Sequence, residues 1–284
     1  MLLSALISAL NGALAKILSD DMSALEIVFF RNMIGVFLIL YALKHTPPKL
    51  SGGKFHLLIT RGLFGFSAMI LFFYTITTIP LGEAITLNKT SPFFVSILAY
   101  YLLGEKLNPL TLIALLIGFL GVILIAKPFG MSFSYEHILG ILGGFFAAAA
   151  YTTIKKIKDI YDSRVIVLSF VGIGTLLPAL LFIVAPYVNA PTGLSFLFPE
   201  FVLPNSLQLW FLIAFMALMS TLSQWLLTKA YSAKNLSVVG VISYTNIPFA
   251  IGFGFLLGDS FPNLLTFIGI TLIVAGGILV SRKK

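Results

Sequence analysis

The sequence predicts an all-α integral membrane protein with ten transmembrane helices arranged as two inverted five-helix repeats. Three observations lead to this fold class. Hydrophobic residues make up 59% of the 284 residues and charged residues 10%, and the mean hydropathy of +1.05 is far above that of soluble domains. Ten apolar segments follow one another along the chain. Landmarks in the first half recur about 155 residues later in the second half.

Each apolar segment has about 17 to 25 residues, the length that crosses roughly 30 Å of hydrocarbon. The first could be read as a cleaved signal peptide, but no Lys or Arg precedes it and Asn11 interrupts it, so we expect an uncleaved span. The segments cover residues 2–18, 24–43, 57–79, 81–103, 109–126, 136–154, 165–185, 207–227, 236–257 and 264–280.

The positions of the Lys and Arg residues predict the orientation. If the N-terminus is inside, the other side of the membrane holds only Lys127, and the spans hold Lys16, Arg31 and Lys89. This one-sided bias predicts that both termini are cytoplasmic. The cytoplasmic segments then hold fourteen of the eighteen basic residues, which are Lys44, Lys49, Lys54, Arg61, Lys106, Lys155, Lys156, Lys158, Arg164, Lys229, Lys234, Arg282, Lys283 and Lys284.

Several functional classes are disfavoured. The net charge of +8 does not indicate nucleic-acid binding, because the basic residues lie in short clusters between apolar segments. The chain has no cysteine, and His45, His56 and His137 lack the spacing of metal ligands, so we expect no metal and no other cofactor. All ten acidic residues lie in loops or near span ends, which argues against an intramembrane enzyme.

The repeats are predicted from landmarks with nearly constant offsets. Because each repeat holds five spans, an odd number, the copies face opposite ways across the membrane. Residues 1–130 and 131–284 are the two predicted domains. Inverted repeats are typical of alternating-access transporters, whose site lies near the membrane midplane between the repeats. The paired landmarks are Pro92 and Pro248, Gly104 and Gly258, Ala114 and Gly269, and Gly121 and Gly276.

Charged side chains inside the spans are the first candidates for a site, because polar groups at membrane depth usually face an interior cavity. At about 1.5 Å of rise per residue, Arg31 lies about 10 Å and Lys89 about 12 Å below the outer surface. Lys16 lies about 5 Å below it by the same rise. Asn88 precedes Lys89, and Pro92 cannot donate to the helix, so a locally loosened helix there fits a substrate site.

Purely structural roles are the alternatives for these cations. Arg31 could form an ion pair with Glu26 or Glu83 that ties helices together. On one helix, however, five residues separate Arg31 from Glu26, roughly 140° around the axis, which is a poor geometry. Lys16 could pair with an acidic residue of the first outer loop. Lys89 could extend to the outer interface beside a proline kink that only shapes packing.

Uncharged polar residues complete the candidate site. Asn11 lies on a narrow, small and polar face of the first span, which lines a cavity or allows close helix approach. In the second repeat, the offset of 155 places Tyr244 opposite Lys89, and Asn246 lies near the midplane. The expected substrate-binding residues are therefore Arg31, Lys89, Asn88, Asn11, Lys16, Tyr244, Asn246 and Gln224.

Four stretches carry a resemblance to a known family. Residues 23–35, 61–107 and 118–128 resemble the first repeat of the EamA-type branch of the drug/metabolite transporter superfamily, and residues 221–259 resemble its second repeat. The resemblance covers nearly the whole chain. It implies a ten-helix inner-membrane carrier of small metabolites, with a central cavity between two inverted repeats. Asp259 departs from the glutamate usual in the family, and the cytoplasmic start is very short, but neither changes the class.

We therefore expect a secondary transporter of a small metabolite, such as an amino acid or a related zwitterion or anion, with efflux as the expected direction. The cations in the spans favour a ligand that bears a carboxylate or phosphate. The expected partners are this small molecule and the lipid bilayer, and the oligomeric state is open, a monomer included. The alternatives are an uptake carrier for a nucleoside-like or vitamin substrate and, from another class, an intramembrane lipid-handling protein.

Overall fold

The computed structural model describes residues 1–48, 52–79, 81–105, 108–126, 134–233, 236–257 and 264–281. In these residues the fold is all-α, with two short 3₁₀ helices, Ala185–Tyr187 and Thr192–Leu197, in the longest connection. The α-helices are α1 (Leu2–Leu18), α2 (Ala24–His45), α3 (Phe55–Thr78), α4 (Leu81–Asn88), α5 (Ser91–Leu103), α6 (Pro109–Ala126), α7 (Tyr135–Ile157), α8 (Ser163–Val184), α9 (Leu207–Ala233), α10 (Leu236–Ser243), α11 (Asn246–Leu256) and α12 (Leu264–Ser281).

The helices account for every predicted apolar segment. A helix satisfies its backbone hydrogen bonds internally, which is what a segment surrounded by lipid requires. Shorter apolar helices cover Leu2–Leu18, Ser91–Leu103, Pro109–Leu124 and Phe267–Gly276. Six described segments are long and apolar enough to cross a membrane, which makes the chain a multi-pass membrane protein, and they are Ala24–His45, Phe55–Thr78, Tyr135–Ile157, Ser163–Tyr187, Leu207–Ser232 and Val238–Leu256.

The apolar segment 81–103 is not one continuous helix. It breaks at Lys89 and Thr90, so that α4 ends and α5 begins in the middle of the segment. The Thr90 hydroxyl donates to the Leu87 carbonyl at 2.7 Å. Pro92 has no N–H to donate to the preceding turn, which favours a new helix start here. The break lies where the sequence predicted a loosened helix.

The apolar segment 236–257 breaks in the same way. The turn lies at Tyr244 and Thr245, between α10 and α11. The Thr245 hydroxyl donates to the Ile242 carbonyl at 2.7 Å. Thr245 is thus the counterpart of Thr90, and both breaks are stabilised by the same side chain to backbone bond.

The helix contacts also come in matched sets. Helix α1 packs on α9 and α11, and α7 packs on α3 and α5. Helix α2 packs on α8, and α6 packs on α12. In the α6 and α12 pair, a Cβ at Gly121 would lie 2.6 Å from the Gly269 carbonyl oxygen, and one at Gly276 would lie 2.8 Å from that of Ala114. Small residues therefore let these backbones approach closely.

Hydrogen bonds join α1 to the second half of the chain. The Ser4 hydroxyl donates to the Ser223 carbonyl at 2.9 Å, and the Ser223 hydroxyl donates to the Ser4 carbonyl at 3.0 Å. The Asn246 amide donates to the Ala5 carbonyl at 2.7 Å. These bonds hold α1 against α9 and α11 beside the polar cavity described next.

Candidate functional site

A polar cavity lies between the helices of the two halves. Its empty space is about 1030 Å³, open solvent at the mouth included. Side chains from α1, α2, α3, α7, α8 and α9 line it, together with both helix breaks. The cavity therefore lies between the two halves, which is where the sequence predicted the site.

Arg31 lies in the wall of this cavity and is buried, with 6% of its surface exposed. Its guanidinium lies over the rings of Phe73 and Phe170, with the central carbon 5.3 and 5.9 Å from the ring centroids. One Nη donates to the Asn32 side chain at 3.2 Å, and the same group contacts the Met69 sulfur. Its Nε has no hydrogen-bond partner. Aromatic faces thus compensate only part of this charge.

The predicted alternative of an ion pair between Arg31 and Glu26 is wrong. Glu26 is buried and stabilises the start of α2, where it accepts from the Ser23 amide at 2.8 Å and the Ser23 hydroxyl at 2.7 Å. Its other oxygen accepts from the Val202 amide at 2.6 Å. Because these donors already satisfy Glu26, it is not the counter-charge of Arg31. The Glu83 side chain lies outside the described part of the structure.

Arg61 is a cavity residue, although the distribution of basic residues in the sequence predicts that it belongs to a cytoplasmic segment. The structure corrects this assignment, because Arg61 lies in α3, is only 1% exposed and lines the cavity. Its guanidinium lies 5.0 Å from the centroid of the Phe170 ring, and its Nε has no partner. A Cβ at Gly65 would collide with this guanidinium, so glycine leaves room for it. The signal was present, since Arg61 falls inside the apolar segment 57–79.

Lys89 reaches the same cavity from the break between α4 and α5. Asn88 lines the cavity beside it. Among the side chains that the structure describes, Lys89 has no ion pair. The cavity wall therefore combines cationic side chains from three different parts of the first half, Arg31, Arg61 and Lys89, and the lining residues that the structure describes include no carboxylate.

Three amide side chains complete the polar wall. Asn11, Gln224 and Asn246 all line the cavity, as the sequence predicted for a shared site. Asn246 uses its amide nitrogen to hold Ala5, as described above. The Asn11 Oδ1 and Gln224 Oε1 atoms are buried and accept no hydrogen bond. Contact of these residues with a substrate stays a prediction.

Two predicted site residues are not brought to the cavity. The Lys16 ammonium donates to the Ile76 carbonyl at 3.2 Å, in the last turn of α3, where carbonyls lack intrahelical partners and attract cations. Tyr244 is fully buried, and its ring lies so close to Gly118 that a Cβ there would approach it to 2.7 Å. Tyr244 therefore packs α10 against α6 instead of facing the cavity.

Aromatic rings form much of the remaining wall. Tyr151 and Tyr231 stack with their centroids 4.5 Å apart and an angle of 14° between planes, and both line the cavity. Phe72, Phe73 and Phe170 line it as well, and none of these five rings is among the residues that the sequence predicts for the site. Nothing in the sequence distinguishes these rings among the 27 phenylalanines and ten tyrosines.

The comparison with known proteins establishes the family. Residues 1–127 match the model of the EamA-like transporter family. A pseudopaline exporter from Pseudomonas aeruginosa is 33% identical over 273 residues, which cover 96% of this chain and 91% of that protein. The chain belongs to the EamA-like transporter family. The predicted resemblance is thereby confirmed, and this EamA-like protein is a transporter and not an enzyme.

Other similar proteins share the fold or the transport function. A riboflavin transporter from Vibrio cholerae is 27% identical over 204 residues, which cover 72% of this chain and 63% of that protein. A protein of known crystal structure superimposes with a TM-score of 0.74 over 98% of this chain and 95% of its own, at 18% identity. The relatives imply a small-molecule substrate, while their named substrates differ.

Proposed function

We propose that this chain is a secondary transporter that exports a small amino-acid-like zwitterion or anion across the inner membrane by alternating access. The observation that carries the proposal is that Arg31, Arg61 and Lys89 line one cavity and that no carboxylate is among its described lining residues. Charges removed from water are costly unless they are compensated. A substrate anion would supply the compensation that the described side chains do not.

Alternating access would come from two inverted five-helix repeats, residues 1–130 and 131–284. The matched helix contacts support this arrangement. The packing of α1 on α9 corresponds to the packing of α7 on α3 when the two halves are interchanged. The Thr90 and Thr245 bonds at the two breaks support it as well. The close backbone approaches at Gly121 and Gly276 also support it, because these glycines lie 155 residues apart. Their partners Ala114 and Gly269 are separated by the same number of residues. Rocking of one repeat against the other would expose the cavity to each side in turn.

The bias of Lys and Arg toward one set of loops supports cytoplasmic termini. The relative named as a pseudopaline exporter supports export. Fusion of a reporter to the C-terminus tests the topology, and an external location of the reporter would contradict it. Right-side-out and inside-out vesicles test the direction, because an exporter drives accumulation in the inside-out preparation.

An uptake carrier for a vitamin or a nucleoside-like compound is the second candidate. The stacked Tyr151 and Tyr231 rings on the cavity wall favour it, because a flat ring system stacks well on such a surface. The relative named as a riboflavin transporter agrees with this possibility. If the substrate is such a flat compound, replacing Tyr231 with leucine would abolish its transport. Transport of an amino-acid-like substrate would decrease little in the same variant.

Counterflow in proteoliposomes tests the proposed function. The purified protein is reconstituted and loaded with an extract of small metabolites, and mass spectrometry identifies the compounds that exchange faster than in protein-free liposomes. We expect zwitterions or anions to exchange, and exchange of no compound would overturn the proposal. Arg31→Gln and Lys89→Gln should reduce exchange at unchanged protein yield. Lys44→Gln is the matched control, since it removes one charge at an exposed position of α2.

A further inference from the structure

The geometry points to a substrate that carries at least two carboxylate or phosphate groups and one hydroxyl or amino donor. This inference rests on the proposed transport function and narrows its substrate class. It goes beyond the proposed zwitterion or anion, because it specifies the number of anionic groups and the placement of a donor. The observations that carry it are the number of unpaired cations, their distribution and two unused acceptors.

The number of cationic side chains in the cavity indicates the number of anionic groups on the substrate. Arg31 and Arg61 are 6% and 1% exposed, and each has an Nε without a hydrogen-bond partner. Lys89 lines the same cavity. Among the described residues, those that line the cavity include no aspartate or glutamate, and Glu26 is satisfied by Ser23 and Val202. A monoanion would leave two of the three cations uncompensated in a partly desolvated space, whereas two or more anionic groups match them.

The three cationic side chains come from different elements of the fold. The guanidinium carbons of Arg31 and Arg61 both lie within 6 Å of the Phe170 ring centroid. The two guanidinium groups can therefore bind one anionic group together. Guanidinium groups bind carboxylate and phosphate in bidentate fashion, which suits such a clamp. Lys89 enters the same cavity from the break between α4 and α5, away from α2 and α3 along the chain, and offers a point charge for a second group. We call the Arg31, Arg61 and Phe170 set the arginine pole.

The two amide acceptors indicate the donor on the substrate. Asn11 is 7% exposed, and its Oδ1 has no partner, as is also true of the Oε1 of Gln224. Both residues line the cavity, Asn11 from α1 and Gln224 from α9. A buried acceptor left unsatisfied costs free energy, so these oxygens would take an O–H or N–H from the ligand. A hydroxylated or aminated polycarboxylate has this pattern of groups.

A series of matched carboxylates tests the inference. The probes are 3-hydroxybutyrate, malate and citrate, which carry one, two and three carboxylates with one hydroxyl each. Succinate and tricarballylate are the partners of malate and citrate without the hydroxyl. Each probe competes with the exchange of the compound that counterflow identifies. We expect the inhibitory concentration to fall at least tenfold from hydroxybutyrate to malate and again to citrate. Removal of the hydroxyl should raise it severalfold.

The variants assign these effects to residues. Arg61→Gln and Lys89→Gln should each remove most of the gain from one additional carboxylate, and Asn11→Leu should remove the gain from the hydroxyl. Because Arg61→Gln could impair folding, Arg61→Lys provides a second test. This variant keeps the positive charge but loses the bidentate hydrogen bonding of the guanidinium group. Lys54→Gln, at an exposed position before α3, is the matched control and should keep the wild-type order.

The possible outcomes separate the inference from the proposed function. Exchange confined to neutral or singly charged compounds would overturn the inference and leave the transporter in place. Inhibition that does not depend on the number of carboxylates, or no inhibition by any probe, would overturn it as well. Absence of exchange for every metabolite would overturn the proposed function itself.

Discussion

The guanidinium groups of Arg31 and Arg61 lie against the same ring, that of Phe170, at 5.9 and 5.0 Å from its centroid. The three residues come from α2, α3 and α8, so one ring from a third helix provides a cation-π contact to both arginines. No described carboxylate separates them. This arrangement makes Phe170 the residue that positions the arginine pole.

Replacing Phe170 with leucine should weaken anion recognition. Each cation-π contact is worth about 0.5 to 2 kcal/mol, so loss of both should raise the inhibitory concentration of citrate by roughly tenfold. Competition against counterflow is the measurement. Phe64→Leu is the control, because Phe64 stacks on Phe146 and does not line the cavity. Equal effects of the two substitutions would contradict the role of Phe170.

Replacing Arg61 with methionine should stabilise the empty protein and slow transport. Methionine has a similar volume and removes a buried charge, and such replacements of buried ionic groups are often neutral or stabilising by about 1 to 4 kcal/mol. We expect a higher Tm in detergent without substrate, together with slower counterflow. A lower Tm would instead show that Arg61 is needed for the fold. Lys54→Gln should change neither quantity.

Replacing Glu26 with glutamine should lower stability and leave substrate preference unchanged. Glutamine offers one oxygen instead of two, so the Val202 amide or the Ser23 amide loses its acceptor, at a cost of about 1 to 3 kcal/mol. Thermal unfolding measures the cost. The exposed Asp21→Asn variant is the control. If Glu26 were the counter-charge of Arg31, the carboxylate series would change its order in this variant.

The close approach of α6 and α12 should not tolerate a methyl group on either side. Alanine at Gly121 or Gly276 places a Cβ 2.6 or 2.8 Å from a backbone carbonyl oxygen, and overpacking of this kind costs about 1 to 3 kcal/mol. Both variants should lower the Tm, and alanine at Gly121 should lower it more, because its Cβ would also lie 2.9 Å from a side-chain carbon of Ile273. Gly252→Ala has no atom within 4 Å of the new Cβ and should keep the wild-type Tm.

The loop between α7 and α8 should make stability depend on pH. Asp162 accepts from the Arg164 side chain at 2.9 and 3.0 Å, and Arg164 also donates to the Thr46 carbonyl at 2.7 Å, after the end of α2. The hydrogen bonds from Arg164 lower the pKa of Asp162. A lowered folded pKa means that the stabilisation is present above the unfolded value of about 3.9 and is lost as the pH falls through the folded value.

Asp162→Asn should therefore lower the Tm at pH 7 by about 2 to 4 °C, the shift expected for a loss near 1 kcal/mol in a chain of this size. The difference from wild type should shrink as the pH falls below about 3.9 and should vanish once the pH is below the lowered pKa of the folded state, where the wild-type carboxyl is protonated. Asp159→Asn serves as the control, since the Asp159 side chain is 84% exposed beside Lys158. A constant difference at all pH values would contradict the assignment to this ion pair.

Much of the fold class follows from the sequence, because hydrophobicity and helix length act locally along the chain. Each of the ten predicted apolar segments holds a described helix or helix pair. The break at Lys89 and Thr90 was also predictable, since Pro92 removes a backbone donor whatever the tertiary contacts are. The family could be predicted from sequence motifs, because these are also local features of the chain.

The composition of the site was decided by the tertiary structure. Arg31, Asn88 and Lys89 line the cavity as predicted, but Arg61 joins them and Lys16 does not. Depth along a span can be counted from the sequence, whereas the direction in which a side chain points depends on how each helix is rotated and crossed against its neighbours. An arginine six residues into a span looks cytoplasmic by depth alone, and only the packing of α3 on α8 places it over Phe170.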